Sequence, residues 1–309
     1  MPYLQLTVQC SREQQPHYEQ ALALAGALSI TALDAQAETP DEEAIFEPAL
    51  GETPLWNTMR LLALYPCASD GLDLLHCLHT SYPQLAWDSL SFQRIQDQEW
   101  ERAWLEQFQP MRFGEHTYIV PWTHSPPSSA LEDENAVVIR LDPGLAFGSG
   151  THATTALCLE RLDALATSGL LQNQSLLDFG CGSGILAIAA VKLGASEVTA
   201  VDIDPQALVA SQSNAERNAV GDKIYISDTT PLTRKKYRFI VANILAKTLD
   251  LLAEDLLELL DDGGELTLSG ILKGQENDLI ARYQPSFGQQ ISCIYKEGWA
   301  RLDAIGRIR

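Results

Sequence analysis

The stretch LLDFGCGSGILAIAA, residues 176–190, decides how the rest of the chain reads. An apolar run carries Asp178 near its end, glycines follow at 180, 182 and 184, and a stripe of small apolar residues begins directly behind them. The pattern is strand, tight turn, helix. Gly180 and Gly182 let the backbone turn sharply and approach a ligand with no Cβ in between. A helix opening at Gly184 offers free N–H groups to an anionic group. A plain strand–helix connection would also explain such a turn, so spacing has to decide. A dinucleotide-binding turn requires G-x-G-x-x-G, and its third glycine would fall on Ile185.

An acid followed by G-x-G-x-G resembles instead the S-adenosylmethionine loop of seven-stranded methyltransferases. Asp202 ends the next apolar run, twenty-two residues past Gly180. An acid there is placed to bind both ribose hydroxyls. Asp204 competes for that role, but Pro205 follows it, and Asp-Pro reads as a helix N-cap with proline at the first helical position. Further out, a helix is expected over THATTALCLERLDAL. Strands at SLLDFG, EVTAVDID, KIYIS, RFIVAN and ELTLSGI alternate with helical segments, and QQISCIYKEG and RLDAIGRI close the chain as an antiparallel hairpin. Such alternation implies a parallel sheet with helices on both faces, whose ligands bind beyond the carboxyl ends of the strands. Asp178, Asp202 and Asn243 therefore share one rim. In FIVANILAKTL (239–249) Asn243 interrupts an apolar run. A buried amide left unsatisfied costs about 1–3 kcal/mol, so it either caps the next helix or faces a ligand.

The front of the chain has a different grammar. YLQLTVQC alternates apolar and polar residues as a half-buried strand does. A helix at EQALALAGAL, strands at SITALDA and NTMRLLALY, a helix at DGLDLLHCLH and a strand near LAWDSLSFQRI complete the order β-α-β-β-α-β, the ferredoxin-like arrangement. An acidic, proline-containing loop separates its halves. QDQEWERAWLEQFQP sets Trp100 and Trp104 at i, i+4 and ends at Pro110, which suggests a connecting helix. The expected fold is α/β, a seven-stranded Rossmann-like domain over 112–309. It is preceded by a small ferredoxin-like α+β domain over 1–95 and a linker helix over 96–111.

Net charge is −20, and residues 1–140 carry 20 acids against 6 arginines and no lysine. A front this acidic repels phosphate backbones, so no direct nucleic-acid binding is expected. It suits a basic protein partner, and equally a merely solubilising surface. The six cysteines form no C-x-x-C pair and read as reduced core thiols. HCLH (76–79) lacks the second ligand cluster a metal site needs, so no metal is expected. The longest apolar run, ALALAGALSI, is far short of the roughly 20 residues of a membrane span and no basic segment precedes it. A cytoplasmic, membrane-free protein is expected.

LDPGLAFGSGTHATT (141–155), DFGCGSGILAIAA, DIDPQA, NAERN, VANILA and LSGIL together resemble the ribosomal protein L11 methyltransferase family, as do FEPALGET and PMRFGE near the front. The likeness covers essentially the whole chain. It implies an S-adenosylmethionine-dependent protein N-methyltransferase that trimethylates lysine ε-amino and N-terminal α-amino groups of ribosomal protein L11, using the first domain for substrate recognition. It also implies cofactor contacts at Thr155, Gly180, Asp202 and Asn243. Asp178 and Gly182 join them from the loop itself, and Asn243 is the expected catalytic residue. A proline common two residues after NILA is replaced by Lys247-Thr248, and one common after GTH by Ala153. Both touch local backbone and no reacting group. Two other readings stay open: a same-fold enzyme acting on another amine or on RNA, and a non-catalytic binding protein on the same scaffold. His152 is a minor candidate for assisting proton removal.

Overall fold

The computed structural model describes residues 3–37, 39, 55–66, 69–95, 108–141, 150–228 and 235–308. The chain divides into two compact units, Met1–Ala103 and Trp104–Arg309. Among the described residues no helix is long and apolar enough to cross a membrane.

The first unit follows the order expected. Strand β1 (Tyr3–Ser11), helix α1 (Gln15–Leu24), β2 (Ser29–Asp34), β3 (Thr58–Pro66), α2 (Gly71–Ser81) and β4 (Ser91–Ile95) give one antiparallel sheet in the order β2-β3-β1-β4. Alternate residues Leu4, Leu6, Val8 and Cys10 of β1 pair with Tyr65, Ala63, Leu61 and Met59 of β3 and form the buried face. Tyr18 on α1 packs edge-on against Trp87 at 5.1 Å and donates its hydroxyl to the Ala86 carbonyl at 2.7 Å. Helix α1 starts four residues earlier than the sequence suggests. Pro16 is tolerated in its first turn, and Gly26, at φ +93°, lies beyond its end rather than within it.

The second unit opens with a small sheet of β5 (Met111–Phe113), β6 (Thr117–Val120) and β7 (Val137–Arg140), with the short helix α3 (Ser128–Glu132) before β7. Most of the expected linker helix, 96–107, lies outside the described residues. Its expected end does not form, because 108–110 are non-helical and Met111 already belongs to β5. Pro110 disfavours helix at the residue before it. The long helix α4 (Ala153–Thr167) ties this small sheet to the main one. Its Asp163, buried, accepts from the Glu115 and His116 N–H groups and the Thr117 hydroxyl at 2.6, 3.0 and 2.7 Å.

The main sheet is built from β8 (Ser175–Phe179), α5 (Ile185–Lys192), β9 (Glu197–Val201), α6 (Pro205–Arg217), β10 (Ile224–Ser227), β11 (Tyr237–Asn243), α7 (Ala246–Leu251), α8 (Ala253–Leu259), β12 (Leu260–Leu272), α9 (Glu276–Phe287), β13 (Ile291–Lys296) and β14 (Trp299–Ile305). Its strand order is β10-β9-β8-β11-β12-β14-β13. Strands β8 to β12 run parallel and β14 is antiparallel to both neighbours. Covering both faces explains the continuous apolar run in β11. Phe239 and Val241 enter the core that includes Leu159, Leu162 and Ile188, whereas Ile240 and Ala242 enter the core holding Leu249, Leu256 and Phe287.

On the α4 face a buried charge network joins helix to sheet. Arg161 reaches Glu265 at 2.8 Å and Asp303 at 3.6 Å, Arg301 pairs with Asp303 at 2.8 Å, and Arg301 also donates to the Leu157 carbonyl. Removing one member would strand a buried charge, so the network fixes α4 on β12 and β14.

Candidate active site

The glycine turn after β8 is pinned by backbone. The Gly180 and Cys181 N–H groups donate to the Val201 carbonyl at 2.8 and 2.9 Å, which ties the turn to the end of β9. Asp202 follows immediately. One of its oxygens accepts from the Gly182 N–H at 2.9 Å and the other from the Asp204 N–H at 3.0 Å. Asp204 caps α6 by accepting from Gln206 at 2.9 Å, with Pro205 behind it. The two acids thus separate as their sequence neighbours suggest, one at the glycine turn and one at a helix start.

Asp178, expected to join the cofactor contacts, lies beneath the turn. It is fully buried and accepts from the Ala187 N–H at 3.0 Å, serving an otherwise unpaired donor in the first turn of α5. Burial pushes its pKa up to about 7; the bond from Ala187 opposes this and the Asp202 charge adds to it. Its other oxygen is buried without a partner. Asp178 does not line the cleft described below, and underpins the turn from beneath.

Asn243 ends β11 on the α4 face, in register with Ser269 of β12. Its amide nitrogen donates to the Thr155 hydroxyl oxygen at 3.4 Å, and its carbonyl oxygen is buried with no partner. The helix-cap alternative is not what forms, since α7 starts at Ala246 with Leu245 as its unbonded N-cap. Thr155, one of the first residues of α4, is buried and stands behind Asn243 rather than on the cleft wall. His152 caps α4. Its Nδ1 accepts from the Thr154 N–H at 3.4 Å and lies 2.7 Å from the Thr154 hydroxyl. Burial also lowers its pKa, against a smaller upward pull from Glu297. The ring thus has a capping role at the start of α4.

These elements enclose one side of a cleft of about 960 Å³. Among the described residues Gly180, Gly182, Asp202, Asn243, His152 and Trp299 line it. Ile244 also reaches it and sets the local backbone. A Cβ on Gly180 would fall on the Ile244 side chain, and one on Gly270 would fall on the Ile244 carbonyl oxygen. Trp299 was not selected from sequence. The signal was available, because the second strand of an antiparallel terminal hairpin starts at the rim where the parallel strands end.

A profile of the family described as ribosomal protein L11 methyltransferase (PrmA) matches residues 2–306. The chain belongs to this family. A protein named ribosomal protein L11 methyltransferase from Stenotrophomonas maltophilia (strain R551-3) is 53% identical over 99% of this chain and 100% of its own length. One of the same name from Xylella fastidiosa (strain 9a5c) is 48% identical over the same shares. The crystal structure of a ribosomal protein L11 methylase from Lactobacillus delbrueckii subsp. bulgaricus superposes with a TM-score of 0.57 at 33% identity, covering 65% of this chain and all of that one. The chain is accordingly a methyltransferase of the L11 methyltransferase family.

Proposed function

We propose that this chain methylates lysine ε-amino and N-terminal α-amino groups of ribosomal protein L11, with S-adenosylmethionine as donor and the cleft at the carboxyl ends of β8, β9 and β11 as the active site. The observation that carries this reading is the Asn243 carbonyl oxygen, buried and without a partner at the rim of that cleft. What sets it apart from the Asp178 oxygen, which is in the same state, is that Asn243 lines the cleft, where a ligand donor can meet it.

The residues present suit the donor. The Gly180–Gly182 turn leaves open backbone beside the cleft, Asp202 suits ribose hydroxyls, and Thr155 fixes the Asn243 amide from behind. S-adenosylmethionine supplies a methyl on a sulfonium cation: the N–C bond forms as the S–C bond breaks, and the sulfur leaves as a neutral thioether. The chain's own part is positioning, which accounts for much of the acceleration in an in-line transfer. A lysine ammonium, with a pKa of about 10.4, must first lose a proton. Asn243 cannot take it, and Nδ1 of His152 is engaged in capping, so the proton passes to solvent. The Asn243 oxygen accepts from the remaining N–H, aims the lone pair and steadies the charge that develops. The acidic first unit is the natural docking surface for a basic ribosomal protein and disfavours an RNA acceptor. A cytoplasmic setting follows from that partner.

Labelled S-adenosylmethionine incubated with purified ribosomal proteins and ribosomal RNA, followed by mass mapping, tests the acceptor. Label on L11 amino groups is expected, and label confined to RNA or to other proteins would overturn the reading. Asp202→Ala removes an acceptor that serves the glycine turn and the ribose together. Its expected effect is a rise of about 100-fold in the Kd for S-adenosylhomocysteine by calorimetric titration, the equivalent of about 2.7 kcal/mol.

A further inference from the structure

Trp299 and Asn243 stand at the same edge of the sheet. Asn243 pairs with Ser269 of β12, and Trp299 with Leu272, three residues further toward the carboxyl end of that strand. Both line the cleft. The indole is held by His152, whose ring packs against it at 4.8 Å with 68° between the planes, and His152 is itself anchored by Thr154.

Among the described residues the carboxylates that line the cleft are Asp202, Asp255 and Glu258, and Glu297 lies close enough to act on His152 beside the indole. Asp202 accepts one backbone N–H at each oxygen, and its remaining acceptor sites are those assigned to the ribose. Lys235 and Lys236 precede β11, whose seven residues at about 3.3 Å each separate them from Asn243 by about 20 Å. Asp255 and Glu258 lie on α8 and line the same cleft. Glu297 sits on the turn beside Trp299 but does not line the cleft. Each methyl transfer removes one N–H from the acceptor, so Asn243 loses its hold as methyl groups accumulate. An indole face holds an ammonium that has no N–H at all, through the attraction of a cation for an aromatic ring.

We propose that the Trp299 indole is the cation-binding wall of the amine site, holding mono- and dimethylammonium groups in place until each gives its proton to solvent and the freed amine takes the next methyl, and so setting how many methyl groups are added. This rests on the amine-acceptor reading above. The test compares Trp299→Leu, which keeps an apolar surface without a ring, with Trp299→Phe, which keeps a ring. Intact L11 is followed by mass spectrometry with time. The ratio of third-methyl to first-methyl rate constants is expected to fall about tenfold in Trp299→Leu and to stay within about threefold of wild type in Trp299→Phe. An unchanged ratio in Trp299→Leu, or an equal fall in Trp299→Phe, would overturn the proposal. Should Trp299→Leu melt early, Trp299→Met takes its place. A second measurement needs no protein acceptor: saturation-transfer NMR with tetramethylammonium, and with neopentyl alcohol as neutral isostere. A tetramethylammonium signal lost in Trp299→Leu supports the wall even if wild-type enzyme leaves L11 unmodified, an outcome that would sink only the acceptor reading. A signal equal in both proteins, or equal for cation and isostere, overturns the wall.

Discussion

Asn243→Ala is expected to lower methyl transfer by about a thousandfold while leaving cofactor affinity within about tenfold of wild type. The asymmetry follows from which atom is lost. The Asn243 oxygen is the unpartnered acceptor at the rim, and a preorganised acceptor of developing charge contributes about 10²–10³ in rate. The cofactor retains the glycine turn and Asp202, both fixed by bonds that do not involve Asn243. Single-turnover transfer of labelled methyl gives the rate, and calorimetric titration with S-adenosylhomocysteine gives the affinity. Full activity in the alanine variant would refute the role. Asn243→Asp separates geometry from charge. It restores an oxygen, yet a carboxylate beside the amine favours the protonated ammonium, so its rate should stay low near neutrality and its pH profile should move to higher pH.

Gly270→Ala is expected to reduce transfer about a hundredfold, although residue 270 holds no reacting atom. Gly270 has φ +83°, a conformation that costs an L side chain about 1–2 kcal/mol, and its added Cβ would overlap the Ile244 carbonyl. Relief requires the chain after β11 to move, and Asn243 is the adjoining residue. Gly274→Ala is the control. Its φ is +108° as well, but nothing lies within 4 Å of the added Cβ, so it carries the backbone strain without the overlap. Transfer measured well below both melting temperatures should fall in Gly270→Ala and remain within a few-fold of wild type in Gly274→Ala. Equal losses in the two would assign the effect to backbone strain alone.

What could be read from the chain beforehand divides along physical lines. The parallel sheet was legible because alternation of strand and helix leaves few topologies open. The capping role of Asp204 was legible because proline at 205 favours a helix start directly behind it. Helix α1 was misplaced because Leu, Ala and Gly at 22–28 satisfy helical periodicity, and only the positive φ of Gly26 marks the stop. The depth of Asp178 was not legible, because sequence gives its place on a strand and nothing more. Its pairing with Ala187, nine residues on, puts it under the turn. Thr155 came from family likeness alone, and its bond to Asn243 spans 88 residues. Ile244 and Gly270 had no local signal, since the overlap that makes glycine necessary at 270 exists only once two strands are paired.

The position of β14 bears on how the enzyme matures. It is the latest strand of the sheet in sequence, yet it lies inside it, between β12 and β13. During synthesis β8 to β12 can assemble while the far edge of β12 still presents unpaired N–H and C=O groups, an edge of the kind that templates aggregation. Only when residues 299–305 have left the ribosome can that edge close. Trp299 arrives in the cleft with the same strand. A nascent chain would therefore hold its glycine turn and Asn243 in place before Trp299 had joined the cleft, and chaperone dependence should be greatest in that interval.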